Sequence, residues 1–131
     1  MYIAKKESLK KDFRYIIKQN CSMLAKGFIC GIEFETLFSD NLYFENAKHA
    51  NTMADKIRKA LKDKDIKVLY ETKTNQIFPI FTNDEYNKIS KEFRISKWSN
   101  YDNNHVVARL VTSWATKEEN VNKLNEYILA L

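Results

Sequence analysis

The sequence predicts an α+β fold, with two N-terminal helices followed by a ββαββα run that forms an antiparallel sheet of about four strands with helices packed on it. Two changes of pattern carry that expectation. Apolar residues recur at helical spacing from Leu9 to Leu61, and from Ile66 onward the period switches to short alternating or apolar runs separated by polar links. A third observation agrees: only 2 Gly and 1 Pro in 131 residues argue against a loop-rich or all-β build.

Each element has a local cause. Ser8 reads as an N-cap, with Leu9, Phe13, Ile16, Ile17, Cys21, Leu24 and Phe28 following at helical spacing, and the pattern runs on to Phe38. Gly27 and Gly31 lie inside that run and mark a kink or a tight contact. Ser39-Asp40-Asn41 starts a second helix, whose apolar face is Tyr43, Ala47, Ala50, Ala54, Ile57 and Leu61. Ile66, Val68 and Tyr70 alternate with polar positions as a first strand. Ile77 to Phe81 follows as a second, with Pro79 favouring an edge or a bulge. Thr82-Asn83-Asp84-Glu85 has capping-box spacing and opens a short helix. Arg94 to Trp98 and Val106 to Thr112 are the third and fourth strands. Thr116-x-x-Glu119 is read as a second capping box, opening a last helix on Val121, Leu124 and Ile128.

Composition bounds the function. The chain is one domain in size and globular, with 44% hydrophobic and 13% aromatic residues. A net charge of +5 permits contact with nucleic acid or a membrane surface, but the lysines are scattered, as on a solvated face. Cys21 and Cys30 are nine positions apart and face opposite sides of a helix, so reduced core or near-core thiols are expected rather than a disulfide. With His49 and His105 isolated, they make no metal-ligand spacing. No apolar run reaches a membrane-spanning length and no leader pattern begins the chain, so a cytoplasmic protein is expected.

The most informative position is Arg109. The strand Val106-Val107-Ala108-Arg109-Leu110-Val111-Thr112 is apolar on both faces, as expected of a strand covered on both sides, and it sets a guanidinium between Val107 and Val111. No acidic residue lies within six positions of it. Three readings stay open on chemistry alone: a structural ion pair with a distant Glu, an edge-strand Arg reaching to water, or a planar fork held for a ligand carboxylate.

Arg109-Leu110-Val111-Thr112 followed by a capped helix resembles the C-terminal small domain of low-specificity L-threonine aldolases and related β-eliminating lyases, pyridoxal-phosphate enzymes of the aspartate-aminotransferase type. Three further segments agree in order. Phe13 to Gln19 with Met23 to Gly27 is similar to the interdomain helix of that family, Leu42 to Asn51 to the helix after it, and Thr74 to Pro79 to the return of the first strand pair. The resemblance covers roughly residues 8 to 130 and divides the chain into a tail over 1–8 left from a large domain, an interdomain-type helix region over 9–38, and a small α+β domain over 39–131.

The resemblance implies roles. Arg109 matches the residue that binds the substrate α-carboxylate, and Lys18 and Gln19 match a basic-Gln pair near the cofactor domain and subunit interface. Ser113 departs from the family, which places a His after the Val-Thr pair. Thr74 and Asn75 read as turn residues, Trp98 and Trp114 as core or interface, and His49 as structural. The family's cofactor-bonding Lys lies upstream of the stretch matching Leu9 to Gln19, where this chain has only eight residues and no Gly-rich phosphate loop. No catalytic residue and no metal site is therefore assigned here. The implied function is a piece of a lyase cleaving threonine or allo-threonine to glycine and acetaldehyde, or of a related β-eliminating lyase, inactive alone, partnered by a pyridoxal-phosphate-binding domain and assembled as a homo-oligomer. The competing class is a small basic α/β module that binds nucleic acid or a protein. Against it, no strand carries adjacent aromatics flanked by Lys and Arg in a recognisable motif.

Overall fold

The computed structural model describes residues 6–20 and 22–131. Most of the expected tail, and the expectation for Cys21, lie outside those residues. The chain divides into two compact units, Met1–Leu42 and Tyr43–Leu131.

The first unit holds α1 (Glu7–Lys10), α2 (Phe13–Gln19) and α3 (Gly27–Phe38). The single kinked helix expected from Leu9 to Phe38 is thus three segments. Asp12 causes the first break, because its φ of 56° lies in the left-handed region, which Asp tolerates better than most residues. Ser8 lies inside α1, with Lys6 at the capping position and no side-chain cap. Gly31 imposes neither a kink nor a tight contact: α3 runs through it, and an added Cβ would meet nothing within 4 Å. Cys30 is a free thiol and exposed, so the expectation of a buried one fails.

The second unit is a helix-covered sheet. Asp40 and Asn41, both at positive φ, precede α4 (Leu42–Asp63). The buried stripe of α4 begins later than its sequence pattern suggested. Tyr43 and Ala47 are exposed, and Ala50, Met53, Ala54, Ile57, Ala60 and Leu61 enter the core. Asp65 ends the helix at φ 63°, while Asp65 N–H donates to Lys62 C=O and Ile66 N–H to Leu61 C=O. That pair of bonds is a Schellman closure, with Asp in the position glycine usually takes.

The segment after it is not the expected strand. Residues 66–71 make one isolated bridge, Val68 to Pro79, through Leu69 N–H to Phe78 C=O and Ile80 N–H to Lys67 C=O, both 2.8 Å. Beyond Tyr70 side chains take over from the ladder: Arg58 donates to Thr72 Oγ1, and Thr72 Oγ1 donates to Gln76 C=O. The expected second strand is interrupted at Phe78-Pro79, giving β1 (Gln76–Ile77) and β2 (Ile80–Thr82). Both pair antiparallel with β4 (His105–Val111) in one unbroken register, so Pro79 makes neither a bulge nor an edge. It sits inside the sheet, where Ala108 N–H still donates to Pro79 C=O at 2.9 Å, but proline has no N–H to return the bond.

α5 (Asn83–Glu92) opens on the expected capping box. Thr82 Oγ1 accepts from Glu85 N–H, and Glu85 Oε2 accepts from Thr82 N–H. β3 (Ser96–Asn100) follows as an exposed edge strand on the other side of β4, two residues later than the sequence suggested. α6 (Glu118–Ala130) completes the unit, and here the second capping box fails: Lys117 is the capping residue and makes no side-chain cap. Thr116 Oγ1 instead accepts from Ser113 N–H at 2.8 Å, closing the preceding turn.

The sheet is therefore antiparallel throughout, with β4 at its centre. One face of β4, Val106, Ala108 and Leu110, is buried, with Ala108 and Leu110 joining Ile57, Phe81, Ile89, Val121 and Ile128 in one apolar cluster. The other face is covered only in part. Val107 is fully buried, Arg109 is half-buried and Val111 is 55% exposed, so the strand is not enclosed on both sides as its composition suggested.

Candidate functional site

β4 positions Arg109. Alternation along the strand puts Leu110 and Thr112 toward the core, and Arg109 and Val111 on the opposite face. Thr112 fixes the strand's end: its hydroxyl donates to Ala50 C=O at 2.7 Å, and its backbone exchanges bonds with Asn75. Asn75 is thus a clamp on the strand as well as a turn residue. Beyond it, Thr116 C=O meets His49 Nε2 at 2.8 Å, so His49 is a structural tie between α4 and the turn into α6. Ser113 lies in that turn and its hydroxyl accepts from Ala115 N–H.

The surroundings of Arg109 are aromatic rather than acidic. β3 pairs Lys97 with Ala108 and Ser99 with Val107, which leaves Trp98 as the extra residue of a bulge. The Trp98 ring lies under the guanidinium, with Cζ 5.4 Å from the ring centroid. Trp98 in turn packs against Phe78 at 5.3 Å, and Phe78 against Tyr70 at 5.5 Å, both edge-on. The result is a row running Tyr70, Phe78, Trp98, Arg109 across the sheet. Among the described residues no ion pair includes Arg109, and its Nε is buried with no hydrogen-bond partner.

A cavity of about 260 Å³ adjoins it, lined among others by Arg94, Arg109, Ile95, Val111, Thr116 and Asn120. Among the described residues no Asp or Glu lines it. A half-buried cation beside an acid-free cavity is a place where an anion gains more than it does in water.

Lys18 and Gln19 end α2 in the first unit, both exposed, and Lys18 takes part in no ion pair among the described residues. Trp98 is 50% exposed and Trp114 71% exposed, so of the two expectations for them, core or interface, the core is excluded. Nothing local announces a bulge at position 98; the one usable signal was a large aromatic on the strand next to an unpaired Arg.

Two ionised groups lie outside this row. Asp102 accepts from Asn104 N–H and from His105 N–H and Nδ1, and these contacts, the Asn104 bond foremost, hold its carboxyl below the usual range. Glu118 is held low by the hydrogen bond and charge of Lys56. Among the described residues no cluster of His, Cys, Asp and Glu has metal-binding geometry, and no helix is long and apolar enough to cross a membrane.

The sheet order and the helices packed on one face define an α+β domain. No protein-family model matches the chain, and no curated protein matches it in sequence. Among solved structures it is similar to threonine aldolase from Leishmania major, with a TM-score of 0.79 and 34% identity over 88% of this chain. The chain is a threonine aldolase-like small domain. It spans 34% of the length of that solved chain.

Proposed function

We propose that this chain is the substrate-carboxylate domain of a pyridoxal-phosphate-dependent amino-acid lyase, acting on threonine or allo-threonine to release glycine and acetaldehyde. The observation that carries the reading is Arg109: a half-buried guanidinium with no acidic partner among the described residues, in a domain of threonine aldolase-like fold. A carboxylate accepts two parallel N–H bonds from such a fork. Breaking the bond between the α- and β-carbons of a hydroxy amino acid requires that bond to be held in one orientation, and a fixed carboxylate anchor supplies that positioning.

The residues of this chain fit the substrate's acid end rather than the cofactor. Its two glycines, Gly27 and Gly31, lie in one helix and form no phosphate loop. Pyridoxal phosphate, when bound by a partner domain, supplies the electron-withdrawing ring that makes this cleavage possible. Arg109 anchors and orients, and Lys18 and Gln19 lie where that partner domain or a second copy docks. Residues 9–38 are the interdomain helix region and 39–131 the small domain proper. The complete enzyme is a cytoplasmic homo-oligomer in this reading.

Grafting tests it. The chain should replace the corresponding third of the Leishmania threonine aldolase and leave a folded hybrid that releases glycine from threonine. The chain by itself should release none. A folded, cofactor-loaded hybrid without cleavage activity would argue that the domain serves some other reaction.

A further inference from the structure

We infer that Trp98 is a positioning residue for Arg109, holding the guanidinium in place through its ring face so that the N–H donors of the two terminal nitrogens stay available to a ligand carboxylate. The inference rests on the carboxylate reading of Arg109 and adds the means by which the fork is kept ready.

A buried or half-buried arginine is ordinarily fixed by a carboxylate, which occupies the same N–H donors that a ligand needs. Here the partner is an indole, with Arg109 Cζ 5.4 Å from its centroid. A ring face attracts a cation through its quadrupole and offers no lone pair that competes for its N–H donors. It therefore restrains the group without taking hydrogen bonds from it. The sequence-local geometry supports the arrangement. Trp98 is the extra residue of the β3 bulge, and a bulge re-aims a side chain that the regular ladder would place elsewhere. Phe78 packs edge-on against the indole at 5.3 Å and is itself 8% exposed, so the ring is braced by a buried neighbour. The remaining half of the indole is open, since Trp98 is 50% exposed. Arg109 Nε is buried with no acceptor among the described residues, so no protein group competes with the ring for the guanidinium.

Trp98 touches no substrate in this account, so its effect should pass through Arg109. The test uses the full chain with arginine labelled with ¹⁵N, and the variants Trp98→Leu, which keeps an apolar side chain without a ring, and Trp98→Phe, which keeps a smaller ring. In the wild type the Arg109 Nε–H, identified by its loss in Arg109→Lys, should appear as a resolved, slowly exchanging signal displaced by the indole ring current. Titration with acetate and with glycine at constant ionic strength should move that signal. Trp98→Leu should return it to the free-arginine position and weaken carboxylate binding by roughly five- to tenfold. Trp98→Phe should keep most of the binding, which loss of bulk alone would not explain. An Nε–H signal and a carboxylate affinity both unchanged in a folded Trp98→Leu variant overturn the inference. A restrained Nε–H in a wild-type chain that takes no carboxylate supports the stack and overturns the carboxylate reading, so the two failures are told apart.

Discussion

The proposed function rests mostly on Arg109, and its neighbours decide what its removal does to the fold. A charge that is paired in the interior leaves a stranded partner when it is deleted, at a cost of about 3–5 kcal/mol. Arg109 has no ion-pair partner among the described residues and lies over the Trp98 ring instead. Arg109→Ala should therefore lower domain stability by no more than about 1 kcal/mol, read from thermal melts. A drop in melting temperature corresponding to about 3 kcal/mol would mean that the guanidinium is a structural ion. Asp102 makes the complementary case for an acid. Its carboxyl is held below its ordinary value of 3.8 by the Asn104 N–H first and His105 next. A group depressed in this way stabilises the fold above its ordinary value, and the benefit disappears as pH falls through the lowered one. The stability advantage of wild type over Asp102→Asn should accordingly be present at neutral pH and vanish in acid. An advantage that grew in acid would contradict the assignment.

Two threonines show how single hydroxyls set elements in place. Thr82 caps α5 and Thr112 ties the end of β4 to α4. Thr82→Ala should cost about 1 kcal/mol, as for a lost N-cap. Thr112→Val keeps the shape but leaves Ala50 C=O without its donor, at about 1–3 kcal/mol. Equilibrium unfolding in urea measures both, and a neutral Thr112→Val would remove the hydroxyl from the account. The contrast between Thr82 and Thr116 also shows what the sequence could convey. Both precede a Glu three positions on, yet only Thr82 makes the box; Thr116 is drawn back to Ser113 by the turn that leaves β4. α4, α5, α6 and β4 were legible because each repeats its apolar period over enough residues to outweigh local exceptions. The break at Asp12 and the loss of a strand at Ile66 were not, since they depend on a left-handed Asp and on Thr72 and Arg58 bonding across space. The site was half legible. Arg109 stood out as a cation in an apolar strand, whereas Trp98 reaches it through a bulge that leaves no mark in the sequence.

At the scale of the whole chain, the first unit and the domain fold point the same way. α3 is rich in apolar residues that no single face collects, with Phe28 67%, Ile32 57% and Phe34 61% exposed. A helix of that composition is ordinarily buried, and an exposed one favours association. Light scattering at micromolar concentration should show a dimer or larger species, and a monomer with no concentration dependence would contradict that. The central claim, that this domain supplies the substrate-carboxylate anchor of a lyase, is tested most directly by Arg109 in the threonine aldolase hybrid. Arg109→Ala should reduce kcat/KM for threonine by an amount equivalent to about 2–4 kcal/mol, the loss of a charge-assisted two-point contact. Arg109→Lys should not restore it, because an ammonium lacks the fork. A folded, cofactor-loaded hybrid whose Arg109→Ala form cleaves threonine as well as its parent would contradict the claim.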